Sequence, residues 1–231
     1  ARELDLQQWR GGLNLNSENS SIRLTKLNLG QPLKLNARGC TVELSDSKLS
    51  GQVFSGGKQV SLIDVEAPSK LSIDAGSGDV KMERTKGRVE VYTTSGKLQS
   101  SAHSGTLSFQ SQEGGLFASA LKGNIEAQTQ EGQLMVEADL VESYLQLDNQ
   151  KGDIQISLSS KFEGNLDLFS LRGEMVVQFP TTANPKLASE SYGPTSPGRL
   201  DGYVGRKNKV FVHAYTKEGG VRLLRRVPGI R

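Results

Sequence analysis

The chain has 231 residues, 28 Lys and Arg against 25 Asp and Glu, a net charge of +3, one cysteine and two histidines. A single cysteine excludes an intrachain disulfide framework and a Cys-rich zinc site, and two histidines exclude a multi-histidine metal centre. A hydrophobic content of 35%, aromatics at 6% and 26 glycines suit many short strands joined by tight turns, and no window holds the roughly 18 apolar residues of a membrane-spanning helix.

In chain order, residues 1–77 carry alternating apolar pairs with few regular glycines: Leu13 and Leu15, Ile22 and Leu24, Leu33 and Leu35, Val42 and Leu44, Val60 and Leu62, Leu71 and Ile73. These read as divergent N-terminal rungs, with Trp9 as a lid over the first. Every ninth residue from Leu35 is apolar: Leu44, Val53, Leu62, Leu71, Val80, Val89, Leu98, Leu107, Leu116, Ile125 and Leu134 follow in step. Residues 78–180 keep that beat in a sharper form, Gly-x-apolar-x-apolar, as in Gly78-Asp-Val80-Lys-Met82 and Gly152-Asp-Ile154-Gln-Ile156. The spacing lengthens between Leu134 and Leu145 and between Ile154 and Leu166, as corner insertions would require. Residues 181–208, rich in Pro, Ser and Gly, read as an irregular loop. Residues 209–231 read as a basic cap. Its hairpin would pair Val210 to Tyr215 with Val221 to Leu224 across Lys217-Glu-Gly-Gly220.

Alternation at period two over four or five residues is a half-buried strand, and a glycine in each connection supplies a sharp corner. Each nine-residue unit is therefore one strand plus one turn. Such units fit an antiparallel meander or a coil in which alternate units stack as parallel strands. A meander leaves one face of its sheet uncovered, and no segment with a 3.6-residue period stands ready to cover it. A coil of two units, about 18 to 21 residues, turns every apolar position inward. The expected fold is all-β: a single-domain parallel β-solenoid spanning 1–231 and closed by the C-terminal hairpin.

The sequence offers little chemistry. His103 and His213 are far apart, Gly-x-Ser-x-Gly is absent, and the Gly56-Gly57-Lys58 segment lacks the spacing, the following Ser or Thr and the helix of a phosphate-binding loop. Residues two units apart should be neighbours, which stacks Glu90 with Ser108 and Glu126, and Lys81 with Gln99, Phe117 and Met135. Neither column pairs two carboxylates. Asp139, Glu142, Asp148 and Asp153 read as a solvated corner. No catalytic residue, metal site or cofactor is expected. Charge is uneven: residues 199–231 hold nine basic residues against two acidic ones. Arg206, Lys207, Lys209, Arg222, Arg225 and Arg226 are the candidate contacts for an anionic partner.

Segments such as Ser77-Gly-Asp-Val80, Thr94-Ser-Gly-Lys-Leu98 and Gly152-Asp-Ile-Gln-Ile156 resemble the Gly-punctuated repeats of an adhesin-domain family of unknown function. Gly173-Glu-Met-Val-Val-Gln-Phe-Pro180 and Lys217-Glu-Gly-Gly-Val-Arg-Leu-Leu-Arg-Arg226 look most like its uncharacterised eukaryotic branch, whose members are assigned to mitochondria. The resemblance strengthens the fold and carries no catalytic residues. The expected function is a non-catalytic binding or structural module, adhesin-like, that engages protein partners. The alternatives are a carbohydrate-active β-helix enzyme, or binding of anionic lipid and, less so, nucleic acid through the basic cap. Self-association through an open sheet edge is a further expectation. The implied compartment is mitochondrial, with secretion or the cell surface as the alternative.

Overall fold

The computed structural model describes residues 2–179, 191–192, 198–205 and 209–226, and the described chain is all strand and turn. It divides into two compact units, 1–114 and 115–231. Each is a parallel β-solenoid, so the expected all-β class and parallel coil are observed.

In the first unit the chain alternates between two columns of parallel strands. One column is β1 (Arg2–Gln7), β3 (Ser20–Thr25), β5 (Thr41–Lys48), the first part of β7 (Val60–Gly76), β8 (Val80–Glu83) and β10 (Leu98–Ser101). The other is β2 (Asn14–Glu18), β4 (Leu33–Arg38), β6 (Gly51–Phe54), the second part of β7, β9 (Lys86–Thr93) and β11 (Ser104–Ser111). Partners in register lie 18 or 20 residues apart, as in Val80↔Leu98 and Ile22↔Val42, so one coil is two of the nine-residue units. The expected neighbours Glu90 and Ser108, and Lys81 and Gln99, stand in register. Strand β4 alternates buried and exposed along its whole length, and all twelve residues of the nine-step ladder are buried. Each such aliphatic side chain contributes roughly 1.5–3 kcal/mol, which is how a thin coil stays folded.

The corners obey two rules. At one, the backbones of successive coils touch: a Cβ on Gly96 would land on the Gly78 carbonyl, and one on Gly114 would land on the Gly96 carbonyl. A hydroxyl turned into the corner satisfies the carbonyl there, Thr93 Oγ1 donating to the Gly96 carbonyl at 2.9 Å. At the other corner, non-glycine residues take positive φ, among them Asp64 and Arg84, which are tied by two hydrogen bonds of 2.7 Å. Trp9 is no lid. Its ring is 44% exposed, and its Nε1–H donates to the Gly12 carbonyl.

The second unit opens in the same way. Strand β12 (Leu116–Glu131) and β13 (Leu134–Lys151) each run through a corner and pair along both halves, with Phe117 and Met135 in register as expected. The first half of β13 then pairs with β14 (Ile154–Ser159). The next strands in sequence, β15 (Gly164–Arg172) and β16 (Met175–Val177), do not lie on β13 and β14. The last two strands occupy that place. Strand β19 (Phe211–Glu218) is parallel to β13 on one side and to β15 on the other, and β20 (Val221–Arg226) is parallel to β14 and to β16.

This corrects the expectation of a C-terminal hairpin cap. The inward residues Val212, Ala214, Thr216, Val221 and Leu223 are fully buried, because a strand placed between two others satisfies both of its edges and covers both of its flanks. The Gly219-Gly220 turn is a coil corner. A Cβ on Gly152 would land on the Gly132 carbonyl, one on Gly219 on the Gly152 carbonyl, and one on Gly173 on the Gly219 carbonyl. That glycine ladder runs 132, 152, 219, 173, in spatial order rather than chain order. Thr216 donates to the Gly152 carbonyl at 3.1 Å and Ser170 to the Gly219 carbonyl at 2.8 Å, so the intruding coil is capped like its neighbours. Covering strands come instead from the stretch expected to be irregular: β17 (Ser191–Tyr192) and β18 (Gly198–Val204) run antiparallel on β16 and β15. The rest of 181–197 lies outside the described residues.

Candidate functional site

The insertion places the candidate basic residues away from any cap. Arg206 and Lys207 lie outside the described residues. Arg222 faces outward from β20, in register with Gln155 and Val176, and its guanidinium is 3.6 Å from Glu174. Arg226 is 2.8 Å from Asp139. Arg225 and Lys209 are exposed and form no ion pair among the described residues.

Three of these four adjoin, in sequence or register, residues that line one cleft. Where β14 gives way to β15, the chain must climb past β19, and its detour through 160–163 leaves a recess of about 400 Å³. The corner of β13 forms one wall with Ala138, Asp139, Leu140 and Val141. Leu158, Ser159, Lys161, Phe162 and Glu163 form the other, and Val210, which leads into β19, closes the floor. Phe162 is held edge-on against Phe179 at 6.2 Å. Leu140 is 54% exposed, a large apolar side chain left in solvent at the mouth. Arg225 and Arg226 stand in register with Leu158 and Ser159, Lys209 precedes Val210, and Lys161 lines the wall. The recess is thus lined by one cation, Lys161, and two acids, Asp139 and Glu163, while Lys209, Arg225 and Arg226 adjoin its lining residues in sequence or register and Arg226 is 2.8 Å from Asp139. A recess of this size holds one or two apolar side chains, and the rim favours carboxylates beside them.

A second cluster lies on the outer face of β13, β19 and β15. His213, on β19, makes contact on both sides: Nδ1 is 3.1 Å from Asp167 Oδ2 on β15, and Nε2 is 3.3 Å from Asp148 Oδ1 on β13. The Asp148 and Asp167 hydrogen bonds raise the imidazole pKa above its ordinary value against the opposing effect of partial burial, with Asp148 the largest contributor. Asp148 is correspondingly held low by His213. Phe169 and Tyr215 stack alongside, with centroids 5.5 Å apart. Two carboxylates that sequence spacing kept apart therefore do meet, yet each is bound to the imidazole between them, which makes them a charged staple rather than a free acid and base. Its detection from sequence required knowing that β19 lies between β13 and β15.

Among the described residues, no group of three or more His, Cys, Asp or Glu side chains is arranged to hold a metal ion. Cys40 is buried, its Sγ 3.2 Å from the Ser20 hydroxyl. His103 is buried in the first unit, with Nδ1 2.8 Å from Thr85 Oγ1, and burial depresses its pKa to about 4. It is a neutral core residue.

A family model described as Toastrack DUF4097 matches residues 7–199, so the matched segment ends before β19. No curated protein and no solved structure matches the chain.

Proposed function

The chain belongs to the Toastrack DUF4097 family, and on that premise we propose that it is a non-catalytic β-solenoid binding module that docks an acidic segment of a protein partner in the cleft of its second unit. What supports this reading is an apolar recess lined by Lys161 and the exposed Leu140, with Lys209, Arg225 and Arg226 adjoining its lining residues in sequence or register. The coil is fixed by parallel ladders on both sides, so the recess is preorganised and little ordering entropy is lost on binding. The occupant that fits is a Leu- or Phe-sized side chain flanked by Asp or Glu. Binding of that kind weakens with salt, because exposed rim cations are screened within about 10 Å at 0.1 M.

The test places a photo-crosslinking amino acid at Leu140 in the full chain, in its native cells. A variant that also carries Lys161→Glu and Arg225→Glu serves as control. Discrete protein adducts, lost on charge reversal and on added salt, are expected. Adducts only with lipid, only with a second copy of the chain, or unchanged by charge reversal would overturn the reading, as would turnover of an anionic glycan by the purified protein.

A further inference from the structure

We propose that His213 is a pH-sensitive fastener that holds the β19–β20 coil in its place between β13–β14 and β15–β16. The coil is joined to its neighbours by backbone ladders on each side, and two titratable side chains of β19 meet both flanks: Glu218 at its end, in register with Lys151 of β13 and 3.8 Å from Arg172 of β15, and His213, which contacts a carboxylate on each side. The charged form donates from both ring nitrogens, Nε2–H to Asp148 and Nδ1–H to Asp167. The neutral form keeps one N–H, so the other nitrogen turns a lone pair toward a carboxylate and one flank loses its charge-assisted bond.

The surroundings are set out by strand. On β13, Asp148 also accepts from Gln146 Nε2 at 2.9 Å. On β15, Asp167 has Arg199 of β18 at 3.8 Å and faces Asp201 across the antiparallel register. On β19 itself, Phe211 stacks with the imidazole at 6.2 Å. Arg199 supports Asp167 at any pH, whereas among the described residues Asp148 has Gln146 and His213 as its side-chain partners, so the β13 flank depends most on the imidazole charge. The raised pKa gives the sign: the stabilisation is complete below about 6.5 and is lost as pH rises through the higher native value.

The cleft shares this coil, since Val210 leads into β19 and Arg225 and Arg226 end β20. Loosening at higher pH therefore weakens the docking of an acidic partner, a consequence that rests on the reading above. The fastener itself does not.

The chain has two histidines, so a proton NMR titration of wild type and His213→Gln assigns both. In wild type, His213 should titrate above about 6.5 and His103 far below it. Asp148→Asn should return His213 toward its ordinary value. Hydrogen exchange, corrected for intrinsic chemistry, should show β19 protection falling severalfold relative to β5 between roughly pH 6.5 and 8.5. In His213→Gln and Asp148→Asn that relative loss should be reduced or absent. A native His213 titrating at or below 6.5, or β19 protection with the same pH profile in wild type and both variants, overturns the fastener. Photo-crosslinking at Leu140 across the same range reads the coupling separately. Adducts that ignore pH while β19 loosens overturn the coupling alone, and no protein adduct at any pH overturns the docking reading alone.

Discussion

Burial of His103 makes the first unit acid-sensitive in a range where carboxylates are still ionised. The side chain is 2% exposed and its Nδ1 is 2.8 Å from Thr85 Oγ1. Burial lowers its pKa to about 4, with the carbonyls of Thr106 and Gly87 offsetting part of the effect. The unfolded chain protonates this group near 6.5, so acid favours unfolding: stability is intact above about 6.5 and falls as pH drops toward 4. At 1.36 kcal/mol per pH unit the loss reaches about 3 kcal/mol, a substantial fraction of the 5–15 kcal/mol of a typical domain. Urea unfolding followed by the single tryptophan, Trp9, reports on this unit. His103→Leu should flatten the decline between pH 6.5 and 4 while losing roughly 1 kcal/mol at pH 7 from the abandoned Thr85 hydroxyl. Parallel profiles for wild type and variant would refute the assignment.

The inserted coil yields three more expectations. Gln155 and Arg222 face outward in register on adjacent strands, so Gln155→Cys with Arg222→Cys should oxidise readily and raise unfolding stability by at most about 4 kcal/mol through a loop of about 67 residues. Tyr215→Cys with Arg222→Cys would be opposite each other in a hairpin turning at Lys217-Glu-Gly-Gly220 but sit in different columns here, and gel mobility should show no crosslink. Gly152→Ala, at a φ of +123° and with its Cβ on the Gly132 carbonyl, should cost about 2–4 kcal/mol in thermal unfolding, against a few tenths for Gly30→Ala, which has open space. Truncation after residue 208 leaves β13 and β14 without the partners that β19 and β20 supply, and likewise β15 and β16. Proteolysis should then cut within 160–178 while the first unit stays resistant.

The coil was legible because its two constraints are local. An inward Val or Leu every nine residues and a glycine where backbones touch are each visible in a single rung, and Leu98, Gly96 and Thr93 show all parts of the rule within six residues. The same rule was present at the C-terminus: Thr216-Lys-Glu-Gly219-Gly-Val221 matches Thr129-Gln-Glu-Gly132-Gln-Leu134, with Val212, Ala214 and Leu223 as the inward set. Reading Lys217-Glu-Gly-Gly220 as a hairpin connection set that frame aside. The frame says that 211–226 is a rung but not where it goes. Parallel rungs of one repeat present nearly identical edges, so placement between β14 and β15 is decided by the climb at 160–163 and by which carboxylates face His213. Neither is periodic, and both are invisible to spacing.

That non-periodic element is also where the molecule becomes chemically distinctive. In the regular coil the corner at Gly78, Gly96 and Gly114 leaves no room for a recess because each backbone rests on the one before it, whereas the corner formed by 29–34, 50–52 and 68–70 opens to about 570 Å³ without any change in threading. Skipping a rung forces a detour, and the detour brings the corner of β13 together with the lead-in of β19, about 70 residues later in the chain, and with Arg226 at the end of β20. The same skip makes His213 the neighbour of two acids from non-adjacent strands. Cations that sequence order assigned to a terminal cap are thereby fixed on the inserted coil, where Arg222 and Arg226 face acids and Arg225 is exposed. The proposed docking site and the proposed His213 fastener both depend on this one event in the threading of the chain, and a variant that displaces β19–β20 should lose both together while leaving the coils of the first unit untouched.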